Sequence, residues 1–241
     1  MSDSVSSSAG RTDGEFSSAR ASARLGLTLR AVLLSPEVGF ESAIKSADRR
    51  RRAGKRPAEG MHPYFLAAAG GAGWMLLWLK LGGLLSLRDA PGGSFKLVYL
   101  ALALALGAIL GLGGQALWSR LAAGAAGVDK DSLPRDLRIA WGVAALPQVV
   151  GVVVLLPLDL AIAGRAAFAT DPLGDSVSTA WAAFSIALSA ALAAWNVYLL
   201  ARGARVSLQI GSIRSALVTG GAVLLLAMVF VPFVVYPAVT T

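Results

Sequence analysis

The segment "IAWGVAALPQVVGVVVLLPLDLAIAG", residues 139–164, holds a single charged side chain, Asp159. About 20 apolar residues suffice to cross a hydrocarbon core of roughly 30 Å. A run this long and this apolar reads as a membrane span, and four others accompany it: roughly Pro63 to Leu87, Leu97 to Trp118, Trp181 to Ala201 and Ala216 to Tyr236. The composition agrees. Of 241 residues, 56% are hydrophobic and 15% charged, with a mean hydropathy of +0.65, whereas soluble domains carry about 25% charged residues. The expected fold class is an all-α membrane protein with five transmembrane helices and an N-terminal cytoplasmic amphipathic helix.

Cysteine is absent and His62 is the only histidine. Thiol nucleophiles, disulfides and soft metal sites are therefore excluded, and no cofactor is implied. The net charge is +8. Nucleic-acid binding needs basic residues on a folded, wettable face, and here most of them sit beside spans. Anionic phospholipid headgroups are the expected partner, and nucleic acid is not.

Three segments follow. Residues 1–30 form a Ser- and Arg-rich tail with too few large apolar residues to offset the entropy of ordering, so disorder is expected. "LGLTLRAVLL", residues 25–34, is split by Arg30 and lacks the uninterrupted apolar core of a signal peptide, so the tail is expected to be retained. Residues 31–60 are polar, helical and basic, and residues 61–241 carry the spans. Basic loops stay on the cytoplasmic side. Eleven Lys and Arg residues precede the first span, four lie between spans two and three, and three between spans four and five; the opposite links hold only Arg88, Lys96 and Arg165. This alternation puts the N-terminus in the cytoplasm and the C-terminus outside.

In "LLSPEVGFESAIKSADRRRR", residues 33–52, Ser35 suits an N-cap and Pro36 the first helical position, where its missing N–H costs nothing. Phe40, Ala43, Ile44 and Ala47 share one face, while Glu37, Glu41, Lys45 and Asp48 occupy another. The result is an amphipathic helix of about three turns whose apolar face, with Phe40 and Ile44, lies in the headgroup region, docks on the chain's own spans or meets a partner. Arg49, Arg50, Arg51, Arg52, Lys55 and Arg56 follow without an intervening acid. Each contributes about 1 kcal/mol of attraction to an anionic leaflet, which makes the cluster a topology determinant and a lipid anchor.

Polar residues inside spans are the usual pointer to transport or catalysis. Lys80 lies near the outer end of span one, where it can snorkel to the headgroups. Asp159 stands 21 residues beyond Arg138, about 30 Å of helix at 1.5 Å per residue, which also puts it near the outer interface. Neither is expected to be buried as a charge, and no deep carboxylate for an ion-coupled pump is expected. Gln148 and Asn196 are the deep polar residues, neutral amides suited to interhelical hydrogen bonds.

Pro147 and Pro157 in span three and Pro232 in span five each remove a helical hydrogen bond. Small residues recur every four positions at Ala103, Gly107 and Gly111, and at Ser185, Ser189 and Ala193, letting backbones approach within the chain or in a homo-oligomer. No serine has a credible His or Lys partner, and neither a Walker-type loop nor an HExxH motif is present. "DKDSLPRD", residues 129–136, lacks the glycine and terminal glutamate of an EF-hand loop.

The order of parts, a short "SPEVGF" helix ahead of five spans, resembles the Yip1-domain family. The best local matches are "DLRIAWGVAALPQVVG", residues 136–151, and "AWNVYLLARGARVSLQIGSIRSALVTG", residues 194–220. The second is similar to the family's pattern of a long span ending in a Gly-basic turn, a polar loop and a basic residue just before the last span. The resemblance covers roughly residues 31–236 and implies a non-enzymatic, multi-pass membrane protein acting in membrane organisation or through a partner membrane protein. Eukaryotic members are linked to vesicle traffic and prenylated Rab-type GTPases. Their Asp-Leu-Tyr-Gly-Pro stretch has no counterpart here, where "PAEGMHPYF" occupies the place, so that partner is not carried over. Richness in Ala, Gly and Arg suggests a GC-rich bacterial genome and hence an inner membrane. A small-solute permease or permease subunit, using the proline-broken third span, is the alternative expectation.

Overall fold

Among the described residues every regular element is a helix. The computed structural model describes residues 32, 34–52, 63–85, 97–128, 135–164, 168 and 176–239. Helix α1 spans Pro36–Arg52, α2 Pro63–Leu85 and α3 Leu97–Ala126. The third span is divided into α4, Arg135–Ala144, α5, Leu146–Val150, a π-helical turn, Gly151–Leu155, and α6, Leu156–Ile162. Helices α7, Ser176–Leu208, and α8, Ser212–Val239, complete the chain. Five helical stretches are long and apolar enough to cross a membrane: Pro63–Gly82, Leu100–Ala126, Asp136–Ile162, Thr179–Leu208 and Ser212–Val229.

Helix α2 is the hub, with 56% of its apolar window buried against 17% for that of α8. It packs on α3, α4, α5, α7 and α8. Lipid is as apolar as leucine, so close van der Waals fit rather than water exclusion joins helices in a membrane. The α2–α3 seam shows how: a Cβ on Gly71 would lie 2.1 Å from the Gly107 carbonyl oxygen, and one on Gly111 would lie 2.2 Å from the carbonyl oxygen of Ala67. The glycine stripe of α3 is therefore used within the chain.

Two apolar clusters sit toward opposite ends of the bundle. The larger joins Phe40, Trp118, Leu137, Trp141 and Leu199 from four helices, with Trp118 tilted at 53° against Trp141. The smaller holds Leu76, Leu100 and Phe168.

The proline breaks of the third span have a visible cause. Pro147 has no N–H, and the Gln148 N–H turns back to the Ala145 carbonyl at 3.0 Å instead of reaching Ala144. Three residues beyond Gln148, Gly151 to Leu155 widen into the π turn, and the Leu156 N–H donates to the Gly151 carbonyl. Such turns recur at functional positions.

The expected Gly-basic turn after span four is corrected. Helix α7 runs through Gly203 and Arg205 to Leu208, and the chain turns at Gln209, which takes a positive φ of 53°. Gly203 serves packing instead: a Cβ there would stand 3.1 Å from the Ala140 Cβ and 3.4 Å from the Phe40 ring.

Candidate functional site

Three polar arrangements stand out, two of them buried, and the first corrects the expectation for two charges. Both charges are buried inside the bundle, Lys80 turned inward instead of snorkelling. The Lys80 ammonium lies 2.6 Å from Asp159 Oδ2, with side-chain exposures of 1% and 0%. Helix α7 supplies the rest of the shell through Trp181, Ser185 and Ser189, spaced every four residues and so on one face. Lys80 Nζ donates to Ser185 Oγ at 2.7 Å and to Ser189 Oγ at 3.0 Å. Asp159 Oδ1 accepts from Ser185 Oγ at 2.6 Å and from Trp181 Nε1 at 3.0 Å. Ser189 Oγ donates onward to the Ser185 carbonyl at 2.7 Å.

The surroundings match the charged forms. The ammonium donates to two serine hydroxyls and ion-pairs with Asp159 Oδ2. The carboxylate accepts two hydrogen bonds through Oδ1, from Ser185 and Trp181, and Oδ2 has the ammonium charge beside it without a hydrogen bond. Desolvating two ions is costly, and excellent geometry with further hydrogen bonds is what offsets it. That α2, α6 and α7 each contribute follows from Lys80 and Asp159 standing at similar depth on two spans that run in the same direction. A buried carboxylate and serines paired with a lysine, neither expected from the sequence, are therefore both present. The pair's sequence signal was available: two charges of opposite sign near the C-terminal ends of apolar spans one and three.

The second arrangement surrounds the proline break. Asn196 Nδ2 donates to the Ala144 carbonyl at 2.6 Å, the acceptor left vacant when the Gln148 N–H turned back to Ala145. Trp74 Nε1 donates to Asn196 Oδ1 at 2.9 Å. Asn196 thus ties α2 and α7 to the broken span, as expected of a deep amide. Gln148 is 2% exposed, and its Nε2 finds no partner. A cavity of about 40 Å³ adjoins Asn196, lined by Gly71, Trp74, Trp78, Gly111, Trp141 and Leu226 among others. It has room for a water or a methyl group and is too small for a solute in this conformation.

The third lies at the other end of the bundle. Glu37 Oε1 accepts from Arg202 at 2.7 Å and from Arg205 at 3.0 Å, and Arg202 lies over the Tyr198 ring at 5.2 Å. Phe40 is fully buried beside Gly203 and Ala140, while Ile44 is half-buried. Helix α1 is therefore seated on α7 and α4. The side chains of Arg49, Arg50, Arg51 and Arg52, and the whole of Lys55 and Arg56, lie outside the described residues. Nearby, Arg138 donates to the Tyr64 hydroxyl at 2.6 Å, so Arg138, Arg202 and Arg205 share this end.

Among the described residues no group of three or more His, Cys, Asp or Glu is placed to hold a metal ion. Compared with known proteins, the chain matches no protein-family model, no curated protein and no solved structure.

Proposed function

We propose that this chain is a non-enzymatic, multi-pass protein of the Yip1 type in a bacterial inner membrane, with its N-terminus in the cytoplasm and its C-terminus outside. It acts by organising anionic lipid and engaging a partner membrane protein through the face that bears α1. The observation that carries this is the seating of α1 by Glu37 and Phe40 on the basic end of the bundle. The helix is amphipathic in this reading, with Phe40 turned to the bundle, and the basic run of sequence from Arg49 to Arg56 supplies the charge that draws anionic lipid. Basic clusters beside spans retain their loops in the cytoplasm and draw in acidic lipid. Reporter fusions at the tail and after each span test the orientation, and a cytoplasmic C-terminus would refute it. Crosslinking in cells from Ser35 to Arg56 tests the partner, and capture of lipid alone would remove the protein-partner half.

A small-solute permease or permease subunit is the second function the geometry favours. Its specific support is the third span, broken at Pro147 and widened at Gly151–Leu155, with the unpartnered Gln148 amide beside the break. Broken helices mark many transporter sites. Solute flux into proteoliposomes that is unchanged by Gln148→Leu and Asn196→Leu would count against it.

A further inference from the structure

We propose that Asp159, Ser185 and Ser189 form a monovalent-cation site in which the Lys80 ammonium is a tethered occupant, exchangeable for a proton or a sodium ion. The proposal deepens the permease function above by naming the coupling species. Three oxygens from two helices converge on Nζ at 2.6, 2.7 and 3.0 Å, a shell that suits an alkali cation as well as an ammonium. Their arrangement does not depend on the lysine alone. Trp181 holds Asp159 Oδ1, and the Ser185 carbonyl holds Ser189 Oγ, so the oxygen cage keeps its own supports when the ammonium leaves.

Lys80 also has somewhere to go. It stands two residues before Gly82, where the apolar window of α2 ends. A lysine this close to a span end can extend its stem and put the ammonium among headgroups. Departure by itself would leave Asp159 as an unpaired buried carboxylate, which is strongly unfavourable. The ammonium therefore leaves only as another cation arrives. With sodium, the carboxylate stays ionised and the metal takes the oxygens; with a proton, Asp159 Oδ2 becomes O–H. In both cases Lys80 remains an ammonium, no covalent bond to carbon changes, and the buried site stays at zero net charge, because one cation leaves it as another enters.

Among the described residues, the polar groups against Asp159 are Lys80 from α2 and Trp181 and Ser185 from α7, with Ser189 joined to them through Lys80. Arg88, Asp89, Lys96, Arg165, Asp171 and Asp175 lie outside the described residues.

The test uses the full chain in nanodiscs and two readouts that need no transport. The first is labelling of Lys80 by a membrane-impermeant amine reagent, located by peptide mass spectrometry. Labelling of Lys80 in the unaltered chain, taken relative to exposed Lys45 so that the loss of free amine at low pH cancels, is expected to rise at least tenfold with sodium chloride or on acidification, and not with choline chloride. The second is the infrared band of a protonated carboxyl, together with binding of radioactive sodium. Lys80→Met is expected either to show the band or to bind one sodium per chain, and the added change Asp159→Asn is expected to abolish both. If Lys80→Met fails to fold, Lys80→Gln serves in its place and the labelling experiment stands unaltered. Lys80 labelling insensitive to both cations overturns the proposal, as does a folded Lys80→Met that takes up neither. Absence of solute flux counts against the permease function alone, because both readouts are equilibrium measurements.

Discussion

Lys80 and Asp159, on spans one and three, meet at 2.6 Å with neither side chain more than 1% exposed. Two charges inside five apolar helices are thereby removed from lipid and held against the serines of α7. The pair is at once the most expensive feature of the bundle to bury and the one that locks α2, α6 and α7 into register.

Breaking the pair from one side should be far worse than removing it whole. Lys80→Met or Asp159→Leu alone is expected to cost about 3–5 kcal/mol, because each leaves an unpaired buried charge. The double substitution should recover most of that loss. Unfolding of the reconstituted protein by denaturing detergent measures the cycle, and strictly additive losses would mean the two residues are energetically independent.

The two deep amides should behave differently. Asn196→Leu removes the donor to the Ala144 carbonyl and the acceptor for Trp74, and a loss of about 0.6–2 kcal/mol is expected. Gln148→Leu deletes an Nε2 that has no partner, so stability should hold or rise. Comparing the two variants in one unfolding assay checks the order, which reverses if Gln148 is the cementing residue.

At the α2–α3 seam, Gly71→Ala would press a methyl group against the Gly107 carbonyl oxygen. Overpacking against backbone typically costs about 1–3 kcal/mol. Gly113→Ala meets nothing within 4 Å and should be tolerated. Thermal aggregation of the two purified variants separates close packing from a general need for glycine in α3.

Seating of α1 should depend more on Phe40 than on Glu37. The ion pairs of Glu37 are a third to a half exposed, and such pairs are worth about 0–1 kcal/mol and weaken with salt. Phe40 is wholly buried, and Phe→Ala changes in cores cost about 3–5 kcal/mol. Distances between spin labels on α1 and α7 are expected to broaden strongly in Phe40→Ala and slightly in Glu37→Gln. A larger effect from Glu37→Gln would make the seat electrostatic.

How far residues could be read in advance depends on where their partners lie. Pro36 opens α1 in the structure as its fixed φ and missing N–H require, and Glu41 pairs with Lys45 at 3.0 Å one turn on; both relationships are local. Asn196 was recognisable as a deep amide, but its acceptor, the Ala144 carbonyl, became free only because Pro147 disturbed a different span. Ser185 and Ser189 were legible as small residues on one face, and nothing local marked them as acceptors for a lysine more than 100 residues away. Lys80 and Asp159 were each judged against the nearest headgroups, when the deciding neighbour was the other charge.

From its own hydropathy and periodicity, the amino-acid sequence determined that five helices are long and apolar enough to span a membrane and that a basic, polar helix precedes them. Those properties depend on span length and on residues within a few turns of one another. Only the tertiary structure decided that two charges are buried as a pair, that the third span widens between its prolines, and that Phe40 belongs to the core. The cost of burying a polar or aromatic group depends on what stands beside it, and in this fold those neighbours come from distant spans.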